Sequence, residues 1–207
     1  AENLTFENAA GPIGQAVAAV VRSEKARFYN CNFSGFQDTL YPHKAGSRQY
    51  YKNCYIEGTV DFIFGFSTAY FDECELFCKE SGFVTAAATP QENNYGFVFY
   101  RCQIHGENPA SFYLGRPWRP YAKVAFIECD MTNVIKPEGW DNWGKVSNEK
   151  TAQFSEYQNS GEGGNLTNRR VKWSKTLSSR QVKNFDKEIV LGKDFFEKKE
   201  DNHINMK

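Results

Sequence analysis

Two aspartates in the first third of the chain are candidates for acid–base or nucleophilic chemistry. Asp38 and Asp61 are each followed by an uncharged, mostly apolar run, Thr39-Leu40-Tyr41 and Phe62-Ile63-Phe64-Gly65 respectively. A carboxylate among aromatic and aliphatic neighbours loses solvation, so its charged form is disfavoured unless a partner stabilises it. Two such carboxylates are a candidate acid/base or nucleophile pair. A plainer role also fits, because aspartate is common in turns.

Five of the six cysteines mark an internal repeat that contains both aspartates. Each lies in the pattern apolar, any, polar, Cys, any, apolar, as in the run Tyr51-Lys52-Asn53-Cys54-Tyr55-Ile56. The steps between them are 23, 20, 28 and 27 residues. Repeats of this length, each with one short β-rich segment, are typical of solenoids. The five cysteines are Cys31, Cys54, Cys74, Cys102 and Cys129.

The spacing predicts an all-β fold, a parallel β-helix, because the strands are too far apart for tight hairpins and no helical periodicity separates them. Neighbouring coils of such a stack lie about 4.8 Å apart, and the usual crossover preference predicts a right-handed coil. The cysteines should form an inward-facing ladder of small buried side chains. Cys54 and Cys74 are also close enough on adjacent coils for a disulfide, whereas Cys78 lies outside the pattern as a lone thiol.

The same spacing predicts which polar side chains meet. Gln15 and Gln37 are 22 residues apart, and Asp38 and Asp61 are 23 residues apart, close to one coil. Gln15, Asp38 and Asp61 should therefore line up across three adjacent coils, with Gln37 beside Asp38. The result is a polar, acidic row on one outer face of the coil stack.

Composition excludes several classes of function. The 207 residues suit one domain, and 25 basic residues balance 25 acidic ones, so no net field favours nucleic acid or an anionic membrane. No apolar run is long enough to span a membrane. No metal or cofactor site is predicted, because the one close cysteine pair, Cys74 and Cys78, has no histidine nearby. Aromatic residues make up 16% of the chain, which suits strands and a carbohydrate-binding surface.

Five motifs in order resemble the pectin methylesterase family of carbohydrate esterases, whose fold is a right-handed parallel β-helix. They are QAVA from Gln15, GFQDTLY from Gly35, YKNCYIEGTVDFIFG from Tyr51, LGRPW from Leu114 and EGWDNW from Glu138. The resemblance extends through Phe154-Ser155-Glu156-Tyr157 and Arg170-Val171-Lys172-Trp173, and covers roughly residues 2 to 196. It implies hydrolysis of methyl esters of galacturonate units in pectin, in a secreted, cell-wall or periplasmic protein.

The resemblance also implies a role for each matching residue. Asp61 would be the nucleophile on the ester carbonyl, and Asp38 would protonate the departing methanol and then activate water. Gln15 and Gln37 would donate hydrogen bonds to the oxyanion, and Arg116 would keep Asp61 ionised. Sugar rings would be bound by Tyr41, Phe64, Trp118 and Trp140.

The sequence departs from that family at its beginning, because family domains usually run about a hundred residues longer at the N-terminus. The absent part would hold the opening coils and one wall of the cleft. We expect the chain to be a fragment, to be completed by a second chain, or to have a rebuilt terminus. Two other functions stay open: a non-catalytic β-helix that binds pectin or a partner, and a β-helix polygalacturonase or lyase, since paired aspartates also serve glycoside hydrolysis.

The C-terminal part is predicted to flank the coils. Residues 1–196 would form the domain, and residues 197–207 a charged tail. A short helix is expected between Ser178 and Gly192, with Ser179 as its N-cap and with Val182, Phe185 and Ile189 on one face.

Overall fold

The computed structural model describes residues 1–197, so most of the charged tail predicted for residues 197–207 lies outside the described residues. Eighteen short strands follow one another in this part of the chain. In chain order they are β1 (Thr5–Glu7), β2 (Ala19–Val21), β3 (Ala26–Tyr29), β4 (Asn32–Ser34), β5 (Leu40–Pro42), β6 (Arg48–Lys52), β7 (Tyr55–Gly58), β8 (Ile63–Gly65), β9 (Thr68–Asp72), β10 (Glu75–Cys78), β11 (Gly82–Ala87), β12 (Phe97–Tyr100), β13 (Gln103–Gly106), β14 (Phe112–Pro117), β15 (Lys123–Ile127), β16 (Asp130–Met131), β17 (Gln153–Tyr157) and β18 (Lys175–Thr176).

Among the described residues, the helical segments are short, and all of them come after β16 in the chain. The two α-helices are α1 (Gly161–Gly164) and α2 (Lys187–Leu191). The 3₁₀ turns are Val146–Lys150, Thr167–Arg169, Val182–Phe185 and Lys193–Phe195. Among residues 1–197, no helix has the length and apolar character needed to cross a membrane.

Three parallel sheets form the faces of a parallel β-helix, as the cysteine spacing predicts. The six-stranded sheet runs β1-β4-β7-β10-β13-β16, the five-stranded sheet β14-β11-β8-β5-β2, and the seven-stranded sheet β18-β17-β15-β12-β9-β6-β3. Within β1 to β16, every pair of neighbouring strands is therefore formed by strands that lie three apart in chain order. The chain visits the three faces in turn and then begins the next coil.

A continuous stack of aromatic rings fills the interior. Phe28, Tyr51, Phe71, Phe99 and Phe126 occupy equivalent positions in five successive strands of the seven-stranded sheet. Successive ring centroids are 4.9, 4.7, 4.5 and 4.4 Å apart, with the rings nearly parallel. Such contacts stabilise the fold beyond the burial of large apolar side chains. The stack therefore stabilises the register of the coils.

The cysteines form the predicted inward ladder, and all six are free and buried. The predicted option of a disulfide between Cys54 and Cys74 is not realised, because each thiol faces a backbone carbonyl of the preceding coil. The Sγ of Cys54 lies 3.7 Å from the carbonyl oxygen of Phe28, and the Sγ of Cys74 lies 3.4 Å from that of Tyr51. Cys78 is equally buried, on β10.

The C-terminal segment flanks the coils as predicted, but the single helix expected from Ser178 to Gly192 is wrong. Asp186 interrupts it with extended backbone, and its Oδ1 accepts a hydrogen bond from the backbone N–H of Glu188 as the N-cap of α2. This break changes the helical phase. Val182 and Phe185 still pack on the outer face of the seven-stranded sheet, whereas Ile189 is 54% exposed.

Candidate active site

Asp38 and Asp61 lie at the same corner of two successive coils, where the chain passes from the six-stranded to the five-stranded sheet. Leu40 pairs with Ile63 in parallel register, so the aspartates two positions earlier lie opposite each other. The N–H of Asp38 donates to the carbonyl oxygen of Val60 at 3.1 Å. Both aspartates have left-handed backbone, with φ of 66° and 54°, and both are 6% exposed.

The two glutamines form a row of their own beside the aspartates. Gln15 pairs with Gln37 in an isolated parallel bridge, one position before Asp38. The prediction that Gln15 aligns with Asp38 is therefore off by one residue, since the step from Gln15 is 22 residues and the step from Asp38 is 23. The side chains nevertheless line one cleft of about 170 Å³ with Asp38 and Asp61.

Arg116, near the end of β14, binds both carboxylate oxygens of Asp61 through one edge of its guanidinium. Nε donates to Oδ1 at 2.9 Å, and one terminal nitrogen donates to Oδ2 at 2.8 Å. The guanidinium carbon lies 3.9 Å from the ring centroid of Phe83 and also 3.9 Å from that of Trp143. Two aromatic rings thus shield the cation from water, which strengthens its pairing with the carboxylate.

Burial raises the pKa of the Asp38 carboxyl from its ordinary 3.8 to about 6. The charge of Asp61 raises the pKa further, and the charge of Arg116 acts in the opposite direction. At mildly acidic pH Asp38 can hold a proton that it could donate to a leaving group.

At Asp61, burial also raises the pKa, against the hydrogen bonds and charge of Arg116, while Asp141 adds to the rise. Arg116 acts to lower the pKa of Asp61, but burial outweighs it, so the expectation that Arg116 keeps Asp61 ionised stays a prediction. The bidentate geometry uses both carboxylate oxygens as acceptors, which is the arrangement of an ionised carboxylate. We therefore assign the negative charge of the pair to Asp61.

An aromatic cluster borders the cleft and includes three of the predicted sugar-binding residues. Tyr41 stacks on Phe64 with the ring centroids 4.2 Å apart, and Trp118 lies 5.9 Å from Phe64 in an edge-on arrangement. Phe66 completes the cluster 5.1 Å from Trp118. Phe64 and Trp118 line the cleft itself, whereas Tyr41, which stacks on Phe64, is not among the residues that line it. Flat aromatic faces beside a polar cleft are suited to carbohydrate rings.

The structure does not bring Trp140, the fourth residue of that prediction, to the cleft. Its side chain is 1% exposed and packs in the core, 4.5 Å from the ring of Phe154. Its indole N–H donates to the Oε1 of Glu156 at 3.2 Å. The backbone of Trp140 forms a bridge with Gly115, and its side chain is buried in the core. Trp140 therefore offers no face to a ligand.

Trp143 occupies the cleft instead, and sequence reasoning missed it together with Phe83 and Asp141. Asp141 accepts a hydrogen bond from the backbone N–H of Trp143 at 2.7 Å, which holds Trp143 in left-handed backbone with a φ of 63°. The spacing Asp-x-Trp was an available signal, since aspartate often caps the N–H two residues on in a turn. Phe83 gave no such signal.

The chemistry of the cleft distinguishes it from other depressions, and its size does not. A depression of about 460 Å³ on the six-stranded face is larger, but its two acids, Glu73 and Glu75, are exposed, whereas Asp38 and Asp61 are buried. Within residues 1–197, no group of three or more histidine, cysteine, aspartate or glutamate side chains is arranged to hold a metal ion.

These features define a parallel β-helix protein with a paired-aspartate cleft on one face. The Pectinesterase family profile matches residues 1–194. The chain belongs to the pectinesterase family.

Two relatives and two solved structures illustrate the similarity. Pectinesterase 31 of Arabidopsis thaliana is 46% identical over 188 residues, which cover 89% of this chain and 58% of that protein. Probable pectinesterase A of Aspergillus fumigatus is 41% identical over 172 residues, 81% of this chain and 52% of that protein. The chain thus spans about half the length of the curated relatives it matches.

The solved structures agree with the fold. A pectin methylesterase from carrot superposes with a TM-score of 0.85 at 34% identity, covering 92% of this chain and 64% of that one. A pectin methylesterase from Aspergillus niger superposes with a TM-score of 0.83 at 35% identity, covering 93% of this chain and 62% of that one. The predicted family and fold are confirmed.

Proposed function

We propose that this chain hydrolyses methyl esters of galacturonate units in pectin, yielding pectate and methanol. The observation that carries the proposal is the pair of buried aspartates on adjacent coils, of which Asp61 is bound by both nitrogens of one edge of the Arg116 guanidinium. One carboxylate is thereby suited to attack and the other to proton transfer. A pectin methylesterase of the same fold, 28% identical to this chain, has been solved in complex with a hexasaccharide.

In the proposed first half-reaction, Asp61 attacks the carbonyl carbon of the methyl ester. The carbonyl oxygen becomes an oxyanion, which the side-chain amides of Gln15 and Gln37 stabilise by hydrogen bonding. Donors of this kind each contribute about 10²–10³ in rate in acyl-transfer sites. Asp38 gives its proton to the methoxy oxygen as the carbon–oxygen bond breaks, so methanol leaves and an acyl-enzyme remains.

In the second half-reaction, water attacks the acyl carbon. Asp38, now ionised, takes a proton from that water, and the bond to Asp61 breaks. The products are a free galacturonate carboxyl group and the regenerated Asp61 carboxylate, while Asp38 is protonated again. Tyr41, Phe64, Trp118 and Trp143 would hold the sugar rings around this centre. Pectin is an extracellular polymer, so we place the protein outside the cell, in the wall or the periplasm.

Methanol release from highly methyl-esterified homogalacturonan tests the proposal directly. We expect the 207-residue chain to release methanol without cleaving the polymer, and Asp61→Ala to lower the rate at least about 10³-fold, as for other nucleophiles. Asp72→Asn is the matched control, because Asp72 is also buried and ion-paired but lies on the seven-stranded sheet.

The alternatives give different products. New reducing ends would indicate a polygalacturonase, and an unsaturated sugar a lyase. Binding of polygalacturonate without methanol release would support a non-catalytic pectin-binding protein. Methanol release that survives Asp61→Ala would contradict the site assignment.

A further inference from the structure

The turn Gly35–Thr39 carries both Gln37 and Asp38, and contacts from other coils hold it. Asp38 has left-handed backbone with a φ of 66°, a conformation that is uncommon outside glycine although aspartate adopts it more readily than most residues. Such a conformation persists when the surroundings over-determine it. The neighbouring coils hold the turn through backbone hydrogen bonds, in which the Asp38 N–H donates to Val60 and the Gln37 carbonyl accepts from Ala16. Side-chain contacts add to these bonds.

Lys79 is the central contact on that side. It follows β10, and its Nζ reaches back past β7 to donate to the carbonyl oxygen of Gly35 at 3.1 Å. The same ammonium lies 4.4 Å from the centroid of the Phe36 ring. Lys79 thus contacts the first two residues of the turn, the Gly35 carbonyl and the Phe36 ring, from two coils away. It is not among the residues that line the cleft.

Glu57, on the intervening strand β7, holds the Lys79 ammonium in place. Its Oε1 accepts from Lys79 Nζ at 2.6 Å and from the Ser34 hydroxyl, and its Oε2 accepts from the Tyr55 hydroxyl at 2.9 Å. Burial acts to raise the pKa of Glu57, but the hydrogen bonds from Lys79, Ser34 and Tyr55 outweigh it and lower the pKa. The Lys79 and Glu57 side chains are only 19% and 14% exposed.

The rest of the turn is fastened to the same coil. The buried Thr39 hydroxyl contacts two carbonyl oxygens, that of Phe36 at 3.1 Å and that of Glu57 at 2.9 Å. The Thr59 N–H donates to the Phe36 carbonyl oxygen at 3.0 Å. Gly58 leaves no room for a side chain, since a Cβ there would lie 2.6 Å from the Phe36 oxygen. These contacts fix the Phe36 carbonyl and Thr39, and Lys79 adds the contact to the Gly35 carbonyl at the start of the turn.

We propose that Lys79, braced by Glu57, is a positioning residue that holds the Gly35–Thr39 turn so that Gln37 and Asp38 face the ester. This inference rests on the proposed function. Lys79 does not touch the reacting atoms; it acts through the Gly35 carbonyl and the Phe36 ring. A displacement of about 1 Å in a catalytic group can lower a rate about 10²-fold, so a small shift of the turn on loss of the Lys79 contact would be enough to reduce catalysis.

Lys79→Met tests the proposal, with Lys79→Arg as the conservative rescue. We expect Lys79→Met to lower kcat about 10- to 100-fold while KM changes less than about twofold, and Lys79→Arg to recover most of the loss. Lys52→Met is the matched control, because Lys52 forms similar half-buried ion pairs with Asp72 and Glu73 far from the cleft. It should leave kcat unchanged.

Hydrogen–deuterium exchange gives a second readout that does not depend on activity. In Lys79→Met the N–H groups of Asp38 and Thr59, which donate to the carbonyl oxygens of Val60 and Phe36, should exchange faster. In Lys79→Arg and Lys52→Met their exchange should match the parent chain. If Lys79→Met does not fold, Glu57→Gln keeps nearly the same size and serves in the same two assays.

The outcomes separate this proposal from the proposed function. A parent chain that releases no methanol overturns the proposed function, and the exchange experiment then decides whether Lys79 holds the turn. Unchanged exchange in Lys79→Met overturns the proposal, as does an active parent with unchanged kcat. A kcat loss that Lys79→Arg does not recover, or that Lys52→Met shares, also overturns it.

Discussion

Two corners of the coil share one backbone conformation, but their residues have different roles. At the far corner, where the seven-stranded sheet passes to the six-stranded sheet, the residue before each ladder cysteine has left-handed backbone, with φ between 51° and 53°. At the site corner, Asp38 and Asp61 adopt that conformation too. The far-corner residues are Asn30, Asn53, Glu73, Arg101 and Glu128.

The corners differ in burial. Most far-corner side chains are exposed, and their types vary freely between amide, acid and base. The two site-corner aspartates are 6% exposed and meet a guanidinium and a second carboxylate. The left-handed bend therefore does not itself require aspartate. Burial is what turns an ordinary corner residue into a group with a displaced pKa and a candidate chemical role.

The largest expected effect on stability comes from removing the arginine partner of Asp61 at the site corner. Arg116→Ala leaves the Asp61 carboxylate buried without its guanidinium, which typically costs about 3–5 kcal/mol in free energy of unfolding. The pKa of Asp61 should also rise further. We expect methanol release at pH 6 to fall at least about 10²-fold, and the melting temperature to drop.

Arg101→Ala is the far-corner counterpart. Arg101 pairs with Glu128 at 2.9 Å, but at the surface, where water screens the charges. Its loss should change neither the melting temperature nor methanol release measurably. Equal destabilisation by both substitutions would show that burial does not distinguish the corners.

A second difference should appear in the pH dependence of stability. The pKa of Asp38 is raised to about 6 in the folded protein from an ordinary 3.8. A raised pKa means that the contribution of this group to stability is full below about pH 4 and is lost as pH rises through 6. At pH 7 the ionised Asp38 therefore destabilises the fold by roughly 2–3 kcal/mol.

Asp38→Asn should remove that penalty, because asparagine is neutral and tolerates left-handed backbone. We expect its melting temperature to exceed that of the parent by roughly 5 °C at pH 7, and the gain to shrink toward pH 4. Methanol release should be lost, since asparagine has no proton to transfer. A gain of equal size at both pH values would contradict the assignment of the penalty to ionisation.

A small effect is expected at Gln158, which directly follows β17 and has the same left-handed backbone as the far-corner residues. Gln158 is exposed and has left-handed backbone with a φ of 45°. Gln158→Gly relieves the bend but adds backbone freedom to the unfolded chain, so the net change in free energy of unfolding should stay within about 1 kcal/mol. Methanol release should be unchanged. A larger loss by thermal melting would mean that the side chain, rather than the bend, matters at this corner.

Much of the site could be predicted because a β-helix converts sequence period into contact. The interval between Asp38 and Asp61 matches one coil, so their meeting follows from numbers alone, as does the stacking of the cysteines. The prediction for Gln15 is off by one residue because the loops between strands vary in length. The expected C-terminal helix is interrupted because Asp186 is better suited to the N-cap of a helix than to its interior.

The two tryptophans show where prediction from sequence ended. Trp140 and Trp143 lie three residues apart in one loop with no strand alternation to orient them. Trp140 turns into the core to meet Phe154, and Trp143 turns outward over Arg116. Their directions depend on side chains from other coils, so local sequence could not assign them.

The sequence by itself determined the coil repeat, the inward ladder and the corner shared by Asp38 and Asp61, because these depend on the interval between like residues along one chain. Only the tertiary structure decided how deeply the aspartates are buried, which tryptophan covers Arg116, and that Lys79 reaches Gly35 across an intervening strand. Those features arise from side chains on three coils meeting at once. Their meeting depends on the lengths and paths of every loop between them, which no single interval encodes.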